Sequence, residues 1–123
     1  MRESGEMYLE TILVLGKEKN IVRATDIASR LGYSKASVSR AVGKLCSEGY
    51  IVVGGNGYIA FTEQGRSIAE KIYERHQVLS RILTSLGVDQ RCAVDDACRI
   101  EHVISDEAFQ AIKHHLETFG TDQ

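Results

Sequence analysis

Between Thr25 and Phe61 two short helical patterns stand either side of Gly32, and the second runs into two β-rich stretches, YIVV and YIAF, that flank Gly54-Gly55-Asn56-Gly57. Few folds accept that order. In ATDIASRLGYS a helix is predicted from about Thr25 to Leu31, closed by Gly32, which can take the left-handed conformation that helix exits favour. Ser34 then caps a helix predicted from Lys35 to Glu48, with Val38, Ala41, Val42 and Leu45 on its apolar face. Two helices joined by about three residues that include a glycine form a helix-turn-helix. Glycine and asparagine tolerate the positive φ that a hairpin demands, so the β-rich pair reads as a wing.

The flanks are helical. Met7, Tyr8, Leu9, Ile12 and Leu15 recur at helical spacing and predict a first helix from about Ser4 to Lys17, ended by Gly16 and Asn20. Thr62 caps a long helix whose buried stripe is Ile68, Ile72, Leu79, Ile82, Leu83 and Leu86, and Gly87 ends it. Two more helices are predicted, from Asp89 to Ile104 and, capped by Ser105, from Asp106 to Phe119. The absence of proline leaves every long helix uninterrupted. The fold class is therefore mainly α, with a winged helix-turn-helix over residues 1–75 and a helical domain over 76–123, bridged by the long helix from about residue 63.

A net charge of −2 looks wrong for a nucleic-acid binder until it is mapped along the chain. From Lys17 to Lys44 the cations Lys17, Lys19, Arg23, Arg30, Lys35, Arg40 and Lys44 face only Glu18 and Asp26, whereas Asp89 to Glu117 is dominated by acids. A basic front suits an anionic partner and an acidic back a cation. The N-terminus has no apolar signal region and no apolar run approaches the roughly 20 residues of a membrane span, so no membrane association and a cytoplasmic location are expected. Cys46, Cys92 and Cys98 are odd in number and lack CxxC spacing, which indicates neither a disulfide framework nor a zinc knuckle.

A recognition helix needs a small, polar first turn to enter the major groove and donors that reach phosphates and base edges. SKASVSRAVGK supplies both: Lys35, Ser37, Ser39, Arg40 and Lys44 lie away from the apolar face. Arg40 is the candidate for a base edge, with Ser37 and Lys44 assigned to phosphates. Ser34 and, in the wing, Asn56 complete the candidate DNA-binding set.

In DDACRIEHVIS, Cys98, Glu101 and His102 stand at i, i+3 and i+4, which on a helix gathers sulfur, oxygen and nitrogen donors on one face. That set suits a transition ion of borderline softness and disfavours magnesium or calcium. Taken singly, Cys98 is more often a small core residue and Met7 is core by default, while His76 reads equally as an exposed polar residue. Met7 and Glu10 share a face of the first helix at i, i+3. His114 and His115 read as solvated.

EMYLETI at the start, DIASRLGYSKASVSRAVGKL in the reading head, the GYI and GYIAFTEQG segments of the wing and DACRIEHVIS near the end together resemble the diphtheria-toxin-repressor family of iron- and manganese-dependent transcriptional regulators. The resemblance covers nearly the whole chain and implies a homodimer that represses metal-uptake genes on double-stranded operator DNA when metal is bound. It makes residues 76–123 a dimerisation and metal-binding domain and implies a chain without the SH3-like third domain of some members. The primary site of iron-type members falls on Met7, Cys98, Glu101 and His102. Their ancillary site is matched by His76, but Ser80 stands where a Glu is used and Val94 where a His is used. Manganese-type members carry Asp at the position of Met7 and Glu at that of Cys98, with a Glu matching Glu10 and a His matching His76. The donor set is thus mixed, with Fe²⁺ the first expectation and Mn²⁺ the alternative. A different class, a winged-helix regulator sensing a thiol oxidant or small ligand through Cys98 and Cys92 without metal, stays open at this point. No positioned nucleophile or substrate pocket is legible, so no enzyme is expected.

Overall fold

The computed structural model describes residues 3–119. Its elements run α1 (Glu3–Lys19), α2 (Ala24–Leu31), α3 (Lys35–Ser47), β1 (Ile51–Val53), β2 (Ile59–Phe61), α4 (Glu63–Ser85), α5 (Gln90–Ile100) and α6 (Asp106–Phe119). The chain divides into two units, with the boundary between Glu70 and Lys71 inside α4. Among the described residues no helix is long and apolar enough to cross a membrane.

In the first unit α1 packs on α2 and α3, and α3 packs on β1. Leu9, Ile12, Leu15, Ile27, Val38, Val42, Leu45 and Ile51 fill the interior. Local signals set the boundaries. α1 ends where Asn20 turns left-handed at φ 69° and its N–H bonds Gly16 O at 3.1 Å. α2 ends on Gly32 at φ 71°, and the Ser34 hydroxyl accepts the Ser37 N–H at 3.1 Å to start α3. The strands pair antiparallel with Ile51 opposite Phe61, and Gly57 takes φ 84° in the turn. Within that turn Asn56 Oδ1 accepts the Tyr58 N–H at 3.1 Å. Val22 bridges to Ile59, so the wing is tied to the segment ahead of α2.

Thr62 joins wing to long helix. Its hydroxyl donates to Gly49 O at 2.7 Å and accepts from Gly65 N–H at 3.1 Å. A Cβ on Gly65 would fall 1.8 Å from Tyr50 O, so the start of α4 and the chain at Tyr50 approach at a distance only glycine permits.

In the second unit Val78, Phe109 and Leu116 form the core, with Ile82, Ile104 and Ile112 packed against it. Asp89 caps α5 by accepting the Arg91 N–H at 3.1 Å, and Ser105 caps α6 by accepting the Ala108 N–H at 3.1 Å. Two sequence expectations are corrected. α5 stops at Ile100, not Ile104, because residues 101–104 form a turn in which the Val103 and Ile104 N–H groups both bond Ile100 O at 3.0 Å. Leu86 lies beyond the end of α4 and is 73% exposed, outside the buried stripe to which its spacing assigned it.

Candidate metal centre and DNA-reading face

The donors of the second unit come from two places. His76 sits in the middle of α4; Cys98 lies in the last turn of α5, while Glu101 is its C-cap and His102 the next residue. The shared helical face expected for Cys98, Glu101 and His102 is therefore a helix end plus a turn. Their environments differ accordingly: Cys98 is exposed, whereas Glu101 is 0% exposed. Ala93 and Ala97, both fully buried, supply the inward face of α5, and their small side chains leave room for close packing.

One ligand atom from each of His76, Cys98 and Glu101 lies within 4.8 Å of the other two. His76 Nδ1 is the shared point, 2.9 Å from Glu101 Oε1 and 3.7 Å from Cys98 Sγ. Glu101 Oε2 stands 3.3 Å from His102 Nε2 without the geometry of a hydrogen bond, and this buried oxygen has no hydrogen-bond partner among the described residues. A buried carboxylate oxygen left in that state is costly unless a cation or donor arrives. Nitrogen and sulfur donors gathered at Oε1 of the same carboxylate, with the His102 imidazole beside Oε2, fit a divalent transition ion. His76 is thereby more than the exposed polar residue its flanks suggest: it is half-buried and its ring is engaged. Met7 and Glu10 are half-buried on α1 in the first unit. Val94 and Ser80 occupy α5 and α4, and the Ser80 hydroxyl is buried without a hydrogen-bond partner among the described residues.

The exposed Cys92 thiol sits beside a carboxylate. Its Sγ lies 3.8 Å from Asp96 Oδ2, and the negative charge of Asp96, with smaller effects from burial, Asp89 and Asp95, pushes the thiol above its ordinary range. A raised thiol carries less thiolate, the reactive form. His114 and His115 are exposed, and the His115 ring tilts against Phe119 at 5.0 Å.

On α3, Lys35, Ser39, Arg40 and Lys44 are exposed, and Ser37 is half-buried. Ser34 and Ser37 hydroxyls meet at 3.0 Å, and Arg40 donates to Ser37 Oγ at 3.4 Å, so three side chains along one edge of the helix are linked. The two acids among the front cations are consumed locally: Asp26 pairs with Lys19 at 2.6 Å and Glu18 pairs with Arg30. Lys35, Arg40 and Lys44 remain as the positive charges of this face. Asn56 has its carboxamide oxygen committed to the wing turn.

Sequence reasoning missed Arg75. It is 7% exposed on α4, and the signal was available: position 75 falls between Ile72 and Leu79 on the buried stripe, where a charge is out of place.

Residues 1–57 match the N-terminal DNA binding domain of iron dependent repressors, and residues 62–123 match their metal binding and dimerisation domain. An HTH-type transcriptional regulator of Methanocaldococcus jannaschii is 34% identical over 121 residues, 97% of either chain. The diphtheria toxin repressor of Corynebacterium diphtheriae is 37% identical over 106 residues, 85% of this chain and 47% of the repressor. This chain thus spans about half the length of the diphtheria toxin repressors it matches. Among solved structures, a manganese-dependent transcriptional repressor in complex with manganese is similar at a TM-score of 0.83 and 27% identity, over 92% of this chain and 52% of that one. IdeR of T. acidophilum is similar at 0.77 and 27%, over 96% and 55%.

Proposed function

The chain belongs to the iron-dependent repressor family, whose members are metal-dependent transcriptional repressors and not enzymes, and from that premise we propose that it binds palindromic operator DNA as a homodimer when loaded with a divalent transition metal. The observation that carries the metal half is the buried Glu101 carboxylate, with one oxygen unbonded and the donors of His76 and Cys98 within 4.8 Å. His76, Cys98, Glu101 and His102 are the ligands of the second unit; Met7 and Glu10 enter on the residue match with the family alone. When bound, the ion supplies the positive charge that this carboxylate lacks and ties α4 to the turn after α5.

Fe²⁺ is the favoured ion and Mn²⁺ the next, because a thiolate beside imidazole and carboxylate suits the softer of the two, while affinity also rises from Mn to Fe for any such set. α3 provides the reading surface: Arg40 addresses a base edge, Ser37 and Lys44 address phosphates, and Ser34, Lys35 and Ser39 complete the polar edge. Asn56 places the wing against the DNA backbone. Two reading heads must enter major grooves about 34 Å apart on a palindrome, so a metal that fixes their spacing changes DNA affinity. Regulation of metal homeostasis in the cytoplasm follows from this reading.

An anaerobic titration with Fe²⁺, Mn²⁺ and chelator, read by native mass spectrometry and by operator footprinting, tests it. Stoichiometric metal and metal-dependent footprints are expected. Equal DNA affinity with and without metal would sink the switch.

A further inference from the structure

Arg75 is the one buried cation among the described residues, and its partners Glu101, Ile104, Asp106 and Phe109 lie with it in the second unit. Its NH1 donates to Glu101 O at 3.2 Å and to Ile104 O at 2.9 Å. Those two carbonyls bracket the turn of residues 101–104, the segment that carries Glu101 and His102. NH2 lies 3.6 Å from Asp106 Oδ1, and the guanidinium rests 5.4 Å from the centroid of the Phe109 ring. Nε is buried with no hydrogen-bond partner among the described residues.

We infer that Arg75 is a positioning residue for the metal centre, a clamp on the Glu101 and Ile104 carbonyls that holds the donor turn in its ligating shape. The inference deepens the metal-binding reading above and rests on it. α5 ends at Ile100, so the carbonyls that follow have no next helical turn to bond. A cation at a helix C-terminus meets the negative end of the helix dipole and supplies the missing donors together. Arg75 does both, reaching from α4, the helix that also bears His76 one residue further on. The centre is thereby framed from one rigid element: α4 presents His76 directly and fixes Glu101 and His102 through the neighbouring guanidinium.

A merely structural role fits poorly. A buried arginine with an unbonded Nε costs stability that an apolar side chain of similar length would not, since replacing buried charges by packed apolar groups is often neutral or stabilising. Asp106 does not account for the charge, because its side chain is 62% exposed and the pair is long. What an apolar residue cannot replace is a donor to both carbonyls. Groups that orient metal ligands from behind act on affinity in this way.

The test is Co²⁺ and Mn²⁺ titration of the full chain under anaerobic conditions, with the Co²⁺ visible spectrum as a report of ligand geometry. R75M keeps the stem and its packing on Phe109 but removes both donors; R75K keeps the charge but loses the planar fork. R75M is expected to retain native helix content, to bind Co²⁺ about tenfold to hundredfold more weakly and to show altered d–d bands, with R75K between it and the native chain. D106N is expected to change affinity by less than about threefold. Native affinity and native Co²⁺ bands in folded R75M overturn the inference even if its melting temperature falls. If R75M does not fold, R75K decides on the same two readouts. A native chain that takes up none of Co²⁺, Mn²⁺ and Fe²⁺ overturns the metal reading and this inference with it, whereas a native chain that binds and an R75M that binds equally overturns only the inference.

Discussion

Glu101→Gln is expected to raise the stability of the metal-free protein and to abolish its response to metal, two effects of opposite sign from one oxygen. In the native chain Glu101 is 0% exposed; Oε1 lies 2.9 Å from His76 Nδ1, and Oε2 has no hydrogen-bond partner among the described residues. An unsatisfied buried acceptor costs about 1–3 kcal/mol, more if charged. Glutamine keeps an acceptor toward His76 and places an amide N–H₂ where Oε2 faces His102 Nε2 at 3.3 Å, which removes the buried charge and supplies a donor. At roughly 4 °C per kcal/mol for a chain of this length, the metal-free variant melts about 4–12 °C above the metal-free native protein. Metal reverses the order. An ion at about a thousand times its Kd stabilises the native protein by about 4.1 kcal/mol, while a neutral amide in place of the carboxylate forfeits most of that gain. Anaerobic melts followed by circular dichroism, with EDTA or excess Mn²⁺, read all four values. A metal-free variant that melts below the native protein refutes the claim that Glu101 is strained without metal. A variant that keeps the native metal-induced rise refutes its role as a ligand.

Three further outcomes are expected. Arg40→Ala should lose about 1–3 kcal/mol of discrimination at one operator position, whereas Lys44→Ala should weaken all sequences alike and flatten the slope of log affinity against log salt by about 0.9; fluorescence anisotropy across a salt series separates them. Gly65→Ala would force a methyl to within 1.8 Å of Tyr50 O, so it should cost about 1–3 kcal/mol or more, and a melting temperature unchanged to within a degree would show that this contact relaxes freely. Asp26 is held below the ordinary aspartate value of 3.8 first by its hydrogen bond from Lys19 and then by the Arg23 N–H. A carboxyl lowered by folding contributes stability above its unfolded value and loses it as pH falls through the folded one, so the native protein should weaken below about pH 4. Asp26→Asn should flatten that limb in urea titrations at pH 3 to 6, and an identical acid limb in both proteins would remove Asp26 from the account.

The first unit was legible because its signals are local. Gly32 and Ser34 announce the turn between α2 and α3, and the Gly-rich tip announces the wing, since each owes its conformation to residues within three or four positions. The pairing of Lys19 with Asp26 and of Arg30 with Glu18 was not legible, for it joins separate helices, and it takes Lys19 and Arg30 out of the basic front. In the second unit the residue types of the centre were plain, but the end of α5 was not. EHVIS contains no glycine or proline, so nothing in it stops a helix; the carbonyls of Glu101 and Ile104 find their donor in Arg75, 26 and 29 residues earlier. Leu86 shows the reverse: its spacing belongs to the stripe of α4, but the helix has ended one residue before it.

The end of α5 bears on how such a centre can respond to metal at all. Three donors at i, i+3 and i+4 of one continuous helix would hold their spacing whether or not an ion were present, because helix geometry fixes it. Such a set would not rearrange within itself when metal binds. With Cys98 on the helix and Glu101 and His102 on the turn, helix geometry alone does not fix the spacing of the donors, and an ion that prefers one arrangement of the turn shifts the chain toward it. The shift is bounded by the affinity difference between the arrangements, which Arg75 sets by how firmly it holds the two carbonyls. A clamp too weak leaves the donors unformed and metal binding poor; one too strong leaves the turn ligand-ready without metal and the response small. The hold is one guanidinium on two carbonyls, with no hydrogen-bond partner for Nε among the described residues and a long contact to an exposed Asp106, so R75K and R75M should change the metal response together with the affinity.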